Sequence, residues 1–287
     1  MKIKGRLRLG NNVLVINNAI YICEILLCKT IIIDSSLWYI KKKIFYSKFN
    51  MTIEPSGKGN CSDPEIVCVS ISDIYSYRYM HIPLGLRFNV FQEEFLSNVE
   101  KFQSDPNDLY IHLGSGDVFS PRALRIVHPE YSQPPLCFYE SIINNYNFRK
   151  IFIISENKNN PLLDILLKMH PNMIYSTNSV QKDTAHILNA YNFIPSTSSF
   201  SRVLIKLSNK LKMVFEYNGI IKEKSQKIRW LDYDYQKYIR NFTVIRMNAS
   251  NKYKTKIYPW ISSKEQLNLM INETCINKFD IIHSSYK

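Results

Sequence analysis

The chain has 287 residues, of which 45% are hydrophobic and 21% are charged, and its formal net charge is +13. This composition excludes a disordered, collagen-like or fibrous protein, and the length is sufficient for two domains. The positive charge favours anionic partners such as nucleic acid, acidic lipid or a diphosphate-bearing substrate, and it does not choose among them.

The first third of the chain has the pattern of an α/β domain. Apolar periodicity and β-branched runs predict its elements in the order loop 10–12, helix 13–28, strand 30–33, helix 38–44, strand 66–71 and helix 86–102. No stretch is expected to reach the roughly 18–20 apolar residues that span a bilayer. We therefore expect no membrane span in this chain.

A turn cluster at 104–108 separates this part from a regular alternation of strands and helices. The predicted elements are strand 109–113, helix 135–145, strand 150–155, helix 161–169, strand 173–175, helix 180–191, strand 192–195, helix 200–209 and strand 213–217. Such alternation predicts a parallel, Rossmann-like sheet. We therefore predict two domains, residues 1–103 and 104–287, with a final helix over 262–275 that Ser262 and Glu265 cap as a capping box.

The six cysteines contain no Cys-x-x-Cys pair, so a structural zinc site is not expected. Cys61 and Cys68 flank a polar loop and would form a disulfide only in an oxidising compartment. Asp232 and Asp234 match an Asp-x-Asp metal motif, but they lie late in the chain among basic and aromatic residues. We interpret that match as chance and predict no metal.

The most informative stretch is His112-Leu113-Gly114-Ser115-Gly116-Asp117, where a strand enters a glycine-bearing loop. It resembles the His-x-Arg-x-Gly-Asp motif of the α1,2/α1,6/protein-O-fucosyltransferase group. His112, Gly116 and Asp117 match that motif, and Gly114 stands where the family has arginine. Two further segments are similar to family segments: Gly10-Asn11-Asn12, and the hydroxyl-rich loop 196–201.

The resemblance implies a GT-B-type glycosyltransferase, that is, two Rossmann-like domains facing a cleft, with the first domain on the acceptor side. It also implies inverting transfer of fucose from GDP-fucose, or a similar donor, to a glycan or protein hydroxyl. Family members need no metal, so no cofactor is expected beside the donor substrate.

Carried over to this chain, the resemblance assigns donor binding to residues of all three segments. These residues are Gly10, Asn11, Asn12, His112, Gly114, Gly116, Ser198, Ser199 and Ser201. Helix N-termini attract anions through their free N–H groups, which suits the first and last segments. Each segment also has a plainer interpretation: an N-cap turn, a histidine hydrogen-bonded in the core, or a capped helix.

Asp117 and Glu130 are the candidate catalytic bases. Asp117 is equally interpretable as a residue that braces the loop. Family members deprotonate the acceptor hydroxyl with an acidic residue or with the substrate itself.

Gly114 bears directly on activity, because a guanidinium donates two matched hydrogen bonds to a departing diphosphate. Losing one such donor costs about 100- to 1000-fold in rate. Arg122, Arg125 and Lys150 are candidate replacements. The alternative to an active transferase is therefore a catalytically reduced paralogue that only binds nucleotide or glycan.

A third hypothesis is a basic nucleic-acid-binding protein, because basic and aromatic residues interleave over 222–238. No RRM, KH or zinc signature supports it, so nucleic acid is not the favoured partner. The compartment is left open. As written, we expect a soluble product, or a chain that has lost an N-terminal anchor and belongs in the ER or Golgi lumen.

Overall fold

The computed structural model describes residues 2–4, 9–33, 39–47, 50–55, 68–70, 92–119, 131–175, 177–218, 242–276 and 278–283. These residues divide into two compact units. One holds the described residues up to Glu100 together with Arg202–Leu207. The other holds Lys101–Ser201, residues 208–218 and the described residues after 241. The boundary between residues 103 and 104 stays a prediction.

The first unit contains a mostly parallel sheet of five strands. They are β1 (Lys2–Lys4), β2 (Thr30–Ile33), β3 (Ile44–Tyr46), β4 (Met51–Pro55) and β5 (Cys68–Ser70). Their order in the sheet is β3-β4-β2-β1-β5, and only the β3–β4 pair is antiparallel. The β-branched run of β2 occupies the middle of this sheet, where alternate side chains are buried.

Helix α1 spans Leu9–Leu26 and begins earlier than predicted. Gly10, Asn11 and Asn12 therefore lie in its first turn, and the prediction of a preceding loop is wrong. By length and composition this helix is apolar enough to cross a membrane, contrary to the expectation from the sequence. However, 61% of it is buried inside the protein, as in the core helix of a soluble protein, and a signal sequence passes the same test.

Two other predictions for this unit need correction. The helix expected over 38–44 is wrong, because residues 39 and 40 form a turn and an isolated bridge, and Ile44 starts strand β3. Strand β4 (Met51–Pro55), which pairs with β3, was not predicted. Its pairing with β3 overrides the local helical pattern. The helix expected over 86–102 is helical at residues 92–97 and has ended by residue 98.

The second unit contains a seven-stranded sheet that is parallel except at one edge. Its strands are β6 (Leu109–His112), β7 (Ile151–Ile154), β8 (Met173–Tyr175), β9 (Asn192–Ile194), β10 (Met213–Asn218), β11 (Thr243–Asn248) and β12 (Phe279–His283). The order is β12-β11-β10-β9-β6-β7-β8, with β12 antiparallel to β11. The mixed α/β class and the large parallel sheet agree with the prediction.

The helices of this unit alternate with the strands from β6 to β10, and two consecutive helices lie between β11 and β12. They are α2 (Leu136–Asn145), α3 (Leu162–Met169), α4 (Val180–Asn189), α5 (Ser199–Leu207, which the division into units splits after Ser201), α6 (Asn251–Ile257) and α7 (Lys264–Asn272). Strands β6 and β7 are almost continuously apolar, which is typical of parallel strands covered on both faces.

The described residues from 242 onward contain elements that the sequence did not indicate. Strands β11 and β12 and helix α6 were not predicted. The final helix is shorter than expected, and its capping box joins Ser263 and Gln266, one residue later than the predicted pair. A disulfide joins Cys137 of α2 to Cys275 after α7, with Cα atoms 5.6 Å apart, and this pairing was also not predicted. Cys61 lies outside the described residues.

Candidate functional site

The strand order of the second unit reverses between β6 and β9. From β6 the chain adds β7 and β8 on one side, and it then returns to place β9 against the other side of β6. In open α/β sheets, ligands bind outside the carboxyl ends of the strands at such a switch point. The residues that follow β6 and β9 are therefore the candidate site.

His112 ends β6, and it contacts the hydroxyl-rich loop that follows β9. Its Nδ1 lies 2.9 Å from Ser196 Oγ and also within hydrogen-bond distance of Ser201 Oγ. The imidazole ring packs edge-on against Phe200, with ring centroids 5.2 Å apart. Two segments 84 residues apart in sequence thus meet through one side chain.

Serine hydroxyls organise the start of helix α5. Ser198 Oγ accepts from the backbone N–H of Ser201 at 3.3 Å, which is the geometry of an N-cap, and receives the Ser196 hydroxyl at 2.8 Å. Ser201 Oγ accepts from the backbone N–H of Ser196 at 3.2 Å. Ser199 lies in the first turn of the helix. The predicted residues Ser198, Ser199 and Ser201 are therefore brought together with His112.

His112 is neutral at physiological pH. Burial lowers the pKa of its imidazole to about 4, because the charged form would lose hydration. The ring therefore offers hydrogen-bonding nitrogens to the serines and no positive charge to a phosphate. Among the described residues, the helix dipole and the backbone N–H groups at the start of α5 contribute positive potential at this site.

Two asparagines from the loop after β7 hold the glycine-bearing loop in place. Asn157 Oδ1 accepts from Ser115 Oγ at 2.6 Å and from the backbone N–H of Gly116 at 3.3 Å. Asn160 Nδ2 donates to the carbonyl oxygen of Gly114 at 2.7 Å. The loop that follows β6 is thus fixed by side chains of the neighbouring βα connection.

Gly114 faces the side chain of Gln133. A Cβ at position 114 would lie 3.0 Å from Gln133 Oε1 and 3.4 Å from Ser196 Cβ. The amide orientation follows from its partners, because Gln133 Nε2 donates to the Tyr131 carbonyl at 2.6 Å and a carbonyl oxygen only accepts. Gln133 Oε1 therefore points to Gly114, and it is buried with no hydrogen-bond partner among the described residues. The space next to residue 114 is occupied by a glutamine amide.

Gly116 is required by the backbone. Its φ is +65°, in the left-handed region, and an added Cβ would overlap the carboxylate of Glu156. Asp117 follows in the first turn of a short 3-10 helix, Gly116–Phe119, where its side chain is partly buried. The carbonyl of Val118 in this helix accepts from Trp260 Nε1 at 3.0 Å. The C-terminal segment that carries Trp260 therefore supports the loop through a hydrogen bond.

The remaining predicted residues divide into three groups. Gly10, Asn11 and Asn12 lie in the first unit, at the start of α1. Glu130, Arg122 and Arg125 lie outside the described residues, as do Asp232, Asp234 and the basic stretch 222–238. Asp117 is placed in the glycine-bearing loop itself.

Lys150 does not replace the missing arginine. It precedes Ile151, which pairs with Leu109 at the start of β6, whereas Gly114 follows the end of β6. Six residue steps of about 3.3 Å therefore separate the two positions along the strand direction, or roughly 20 Å. A lysine side chain does not bridge that distance, so this candidate is wrong.

Among the described residues no group of three or more His, Cys, Asp or Glu side chains is arranged to hold a metal ion. The sequence does not identify Gln133, Asn157, Asn160, Ser196 or Trp260 as parts of the site. Ser196 lies in the hydroxyl-rich loop 196–201, and Asn157 and Asn160 lie in an asparagine-rich run after a strand. That position was the available signal for both asparagines.

Comparisons with known proteins find distant structural similarity. No family model matches the chain, and no curated protein matches it. Among solved structures it is similar to POFUT1 in complex with GDP and to POFUT1 in complex with GDP-fucose, each at 12% identity and a TM-score of 0.26. The matched region covers 59% of this chain and 57% and 56% of those chains. The chain thus matches little more than half the length of either structure.

Proposed function

We propose that the second unit binds a nucleoside diphosphate sugar, and that the chain is a glycosyltransferase of the fucosyltransferase-like type with GDP-fucose or a similar donor. The observation that carries the proposal is the contact of His112 with Ser196 and Ser201 at the start of α5. It places a helix N-terminus, three serine hydroxyls and a glycine-bearing loop together at the switch point of the sheet. Such a combination suits a diphosphate.

The diphosphate would lie between the loop 114–116 and the first turn of α5. Backbone N–H groups at that helix start and the partly exposed Ser198 hydroxyl are the donors proposed for phosphate oxygens, and buried Ser201 supports them from within. Neutral His112 holds the hydroxyls in position through Nδ1. Among the described residues the proposed contacts to the anion are dipoles and hydrogen bonds, which depend less on salt than the contacts of a lysine- or arginine-rich surface.

In a transfer reaction the acceptor oxygen attacks the anomeric carbon, and the bond from that carbon to the diphosphate oxygen breaks. The diphosphate leaves with the bonding electron pair, and the acceptor proton passes to a base. Asp117 and Glu130 are the proposed bases. A first domain on the acceptor side of a GT-B-type cleft, with a glycan or protein acceptor, and the use of Gly10, Asn11 and Asn12 are parts of the same proposal.

A reduced paralogue that binds the donor without transferring sugar is the second candidate, and Gly114 favours it. The position carries no guanidinium, and Gln133 presents an acceptor oxygen there where a departing diphosphate needs donors. The two candidates share donor binding and differ in turnover. A transfer assay with GDP-fucose, in which hydrolysis of the donor is measured alongside, separates them.

We also propose an oxidising compartment, such as the ER or Golgi lumen. The Cys137–Cys275 disulfide supports it, because such bonds persist in secretory compartments and are rare in the cytosol.

Calorimetry with GDP and GDP-fucose tests donor binding. We expect saturable binding that Ser198→Ala weakens by about tenfold, since one hydrogen bond to a charged group contributes about 1.5 kcal/mol or more. Ser179→Ala is the matched control, because Ser179 caps α4 in the same way, with Lys182 N–H at 3.3 Å, at the edge of the sheet away from the switch point. Equal losses in both variants would contradict the site.

The nucleic-acid hypothesis is tested in the same experiment. Strongly salt-dependent binding of single-stranded RNA, with no signal from GDP, would replace the proposed function by that alternative.

A further inference from the structure

Glu156 lies at the carboxyl end of the strand next to the glycine-bearing loop. It follows β7 (Ile151–Ile154) by two residues, and β7 pairs in parallel with β6 on the side opposite to β9. Its carboxylate therefore faces the same edge of the sheet as His112 and the start of α5. About two strand spacings, or roughly 10 Å, separate β7 from β9.

The carboxylate of Glu156 lies directly against Gly116. Its Cδ is 2.8 Å from the position that a Cβ of residue 116 would occupy, so the carboxylate fills space that the glycine leaves open. The next residue, Asn157, accepts from Ser115 Oγ and the Gly116 N–H. The segment that carries Glu156 is thus fixed to the loop on which the diphosphate is proposed to lie.

This carboxylate is exposed, and no described residue donates a hydrogen bond to it or forms an ion pair with it. Lys158, two residues further on, places its ammonium 5.8 Å from the centre of the Tyr175 ring. An ionised carboxylate only accepts hydrogen bonds, and its two oxygens can receive two adjacent donors at once. A vicinal diol supplies such a pair.

We infer that Glu156 accepts hydrogen bonds from the ribose hydroxyls of a nucleoside diphosphate whose phosphates lie at the start of α5. The inference rests on the proposed function and adds the direction of the ligand: the nucleoside lies over β7, and the transferred sugar lies on the β9 side. An acidic side chain at the end of the second strand has this role in other sheets whose order reverses beside the first strand. The contact selects ribonucleotides over nucleotides without a diol.

The test compares GDP with 2′,3′-dideoxy-GDP by calorimetry on the full chain. Wild type should bind GDP about 10- to 100-fold more tightly, because hydrogen bonds to a charged acceptor are being lost. Glu156→Ala should bind both nucleotides with the affinity that wild type shows for the dideoxy form. Glu156→Gln, which keeps one acceptor oxygen, should fall between. Glu93→Gln, a change of an exposed glutamate in the first unit, should leave the preference intact.

The outcomes distinguish failure of the Glu156 inference from failure of the proposed donor binding. If GDP binds but wild type does not prefer it over the dideoxy form, or if Glu156→Ala keeps the preference, Glu156 is a solvated surface charge and the inference is overturned while donor binding stands. If neither nucleotide binds wild type, the proposed function is overturned and the inference with it. Because Glu156 is exposed, we expect its variants to unfold at the same temperature as wild type. An unchanged unfolding temperature shows that a change in affinity is local.

Discussion

Gln133 Oε1 lies 3.0 Å from the position that a Cβ at residue 114 would occupy, and no residue in the described part of the chain donates a hydrogen bond to it. The two residues form one packing unit: the glycine leaves a space, and the glutamine amide fills it. A side chain introduced at position 114 would therefore meet the glutamine amide, and the two positions must be tested together.

Gly114→Arg alone should restore little donor affinity or transfer. The backbone of Gly114 is outside the left-handed region, so arginine is tolerated there, but its Cβ presses on Gln133. Combining it with Gln133→Ala frees that space, and we expect at least about a tenfold gain in GDP affinity over Gln133→Ala alone, from the added guanidinium. Calorimetry with the four proteins measures this. A full gain in the single arginine variant would show that Gln133 is no obstacle.

Gly116→Ala should lower the free energy of unfolding by about 1–2 kcal/mol, which is the cost of a left-handed backbone for a residue with a Cβ. The overlap with Glu156 adds little, since that carboxylate ends a flexible exposed chain and can move. Adding Glu156→Ala should therefore recover only a small part of the loss. Denaturant unfolding of the two variants and wild type decides it. Full recovery in the double variant would assign the loss to the overlap.

Burial of His112 should lower the free energy of unfolding as the pH falls. Its folded-state pKa, about 4, lies below the ordinary value of about 6.5, so between these values the unfolded chain binds a proton that the folded chain does not. The free energy of unfolding should fall by up to roughly 3 kcal/mol as pH drops through this window, and this contribution is constant below it. Urea unfolding at pH 7 and pH 4 should show a smaller loss in His112→Asn. Equal losses in both proteins would mean that the imidazole is better hydrated than its surroundings indicate.

The disulfide should be a major contributor to the stability of the second unit. It closes a segment with a sequence separation of 138 residues, for which the loop-entropy model gives up to about 5 kcal/mol. Cys137→Ser and Cys275→Ser should each lower the unfolding midpoint to that of reduced wild type, and reductant should have no further effect on them. Cys28→Ser, which removes a free thiol, is the control and should keep the sensitivity to reductant. A wild-type midpoint unchanged by reductant would contradict the prediction.

The amino-acid sequence by itself determined the α/β class and the positions of most strands and helices of the second unit. The run Ile151–Ile154 identifies a buried parallel strand through composition alone, because burial on both faces leaves no room for polar side chains. Local chemistry also indicated that a helix starts at the hydroxyl-rich loop 196–201. Local sequence patterns failed where strand pairing decides the secondary structure. Strand β3 is an example, because it exists only through its pairing with β4.

Only the tertiary structure decided what the site contains. His112 contacts Ser196, Gln133 directs its amide towards Gly114, and Asn157 holds the glycine-bearing loop. The residues in these contacts are 19 to 84 positions apart in sequence, and the strand order brings them to one edge of the sheet. The same strand order removed Lys150 from the site by placing it at the opposite end of β7. Sequence spacing carries no information on which end of a sheet a side chain reaches until the register between strands is known.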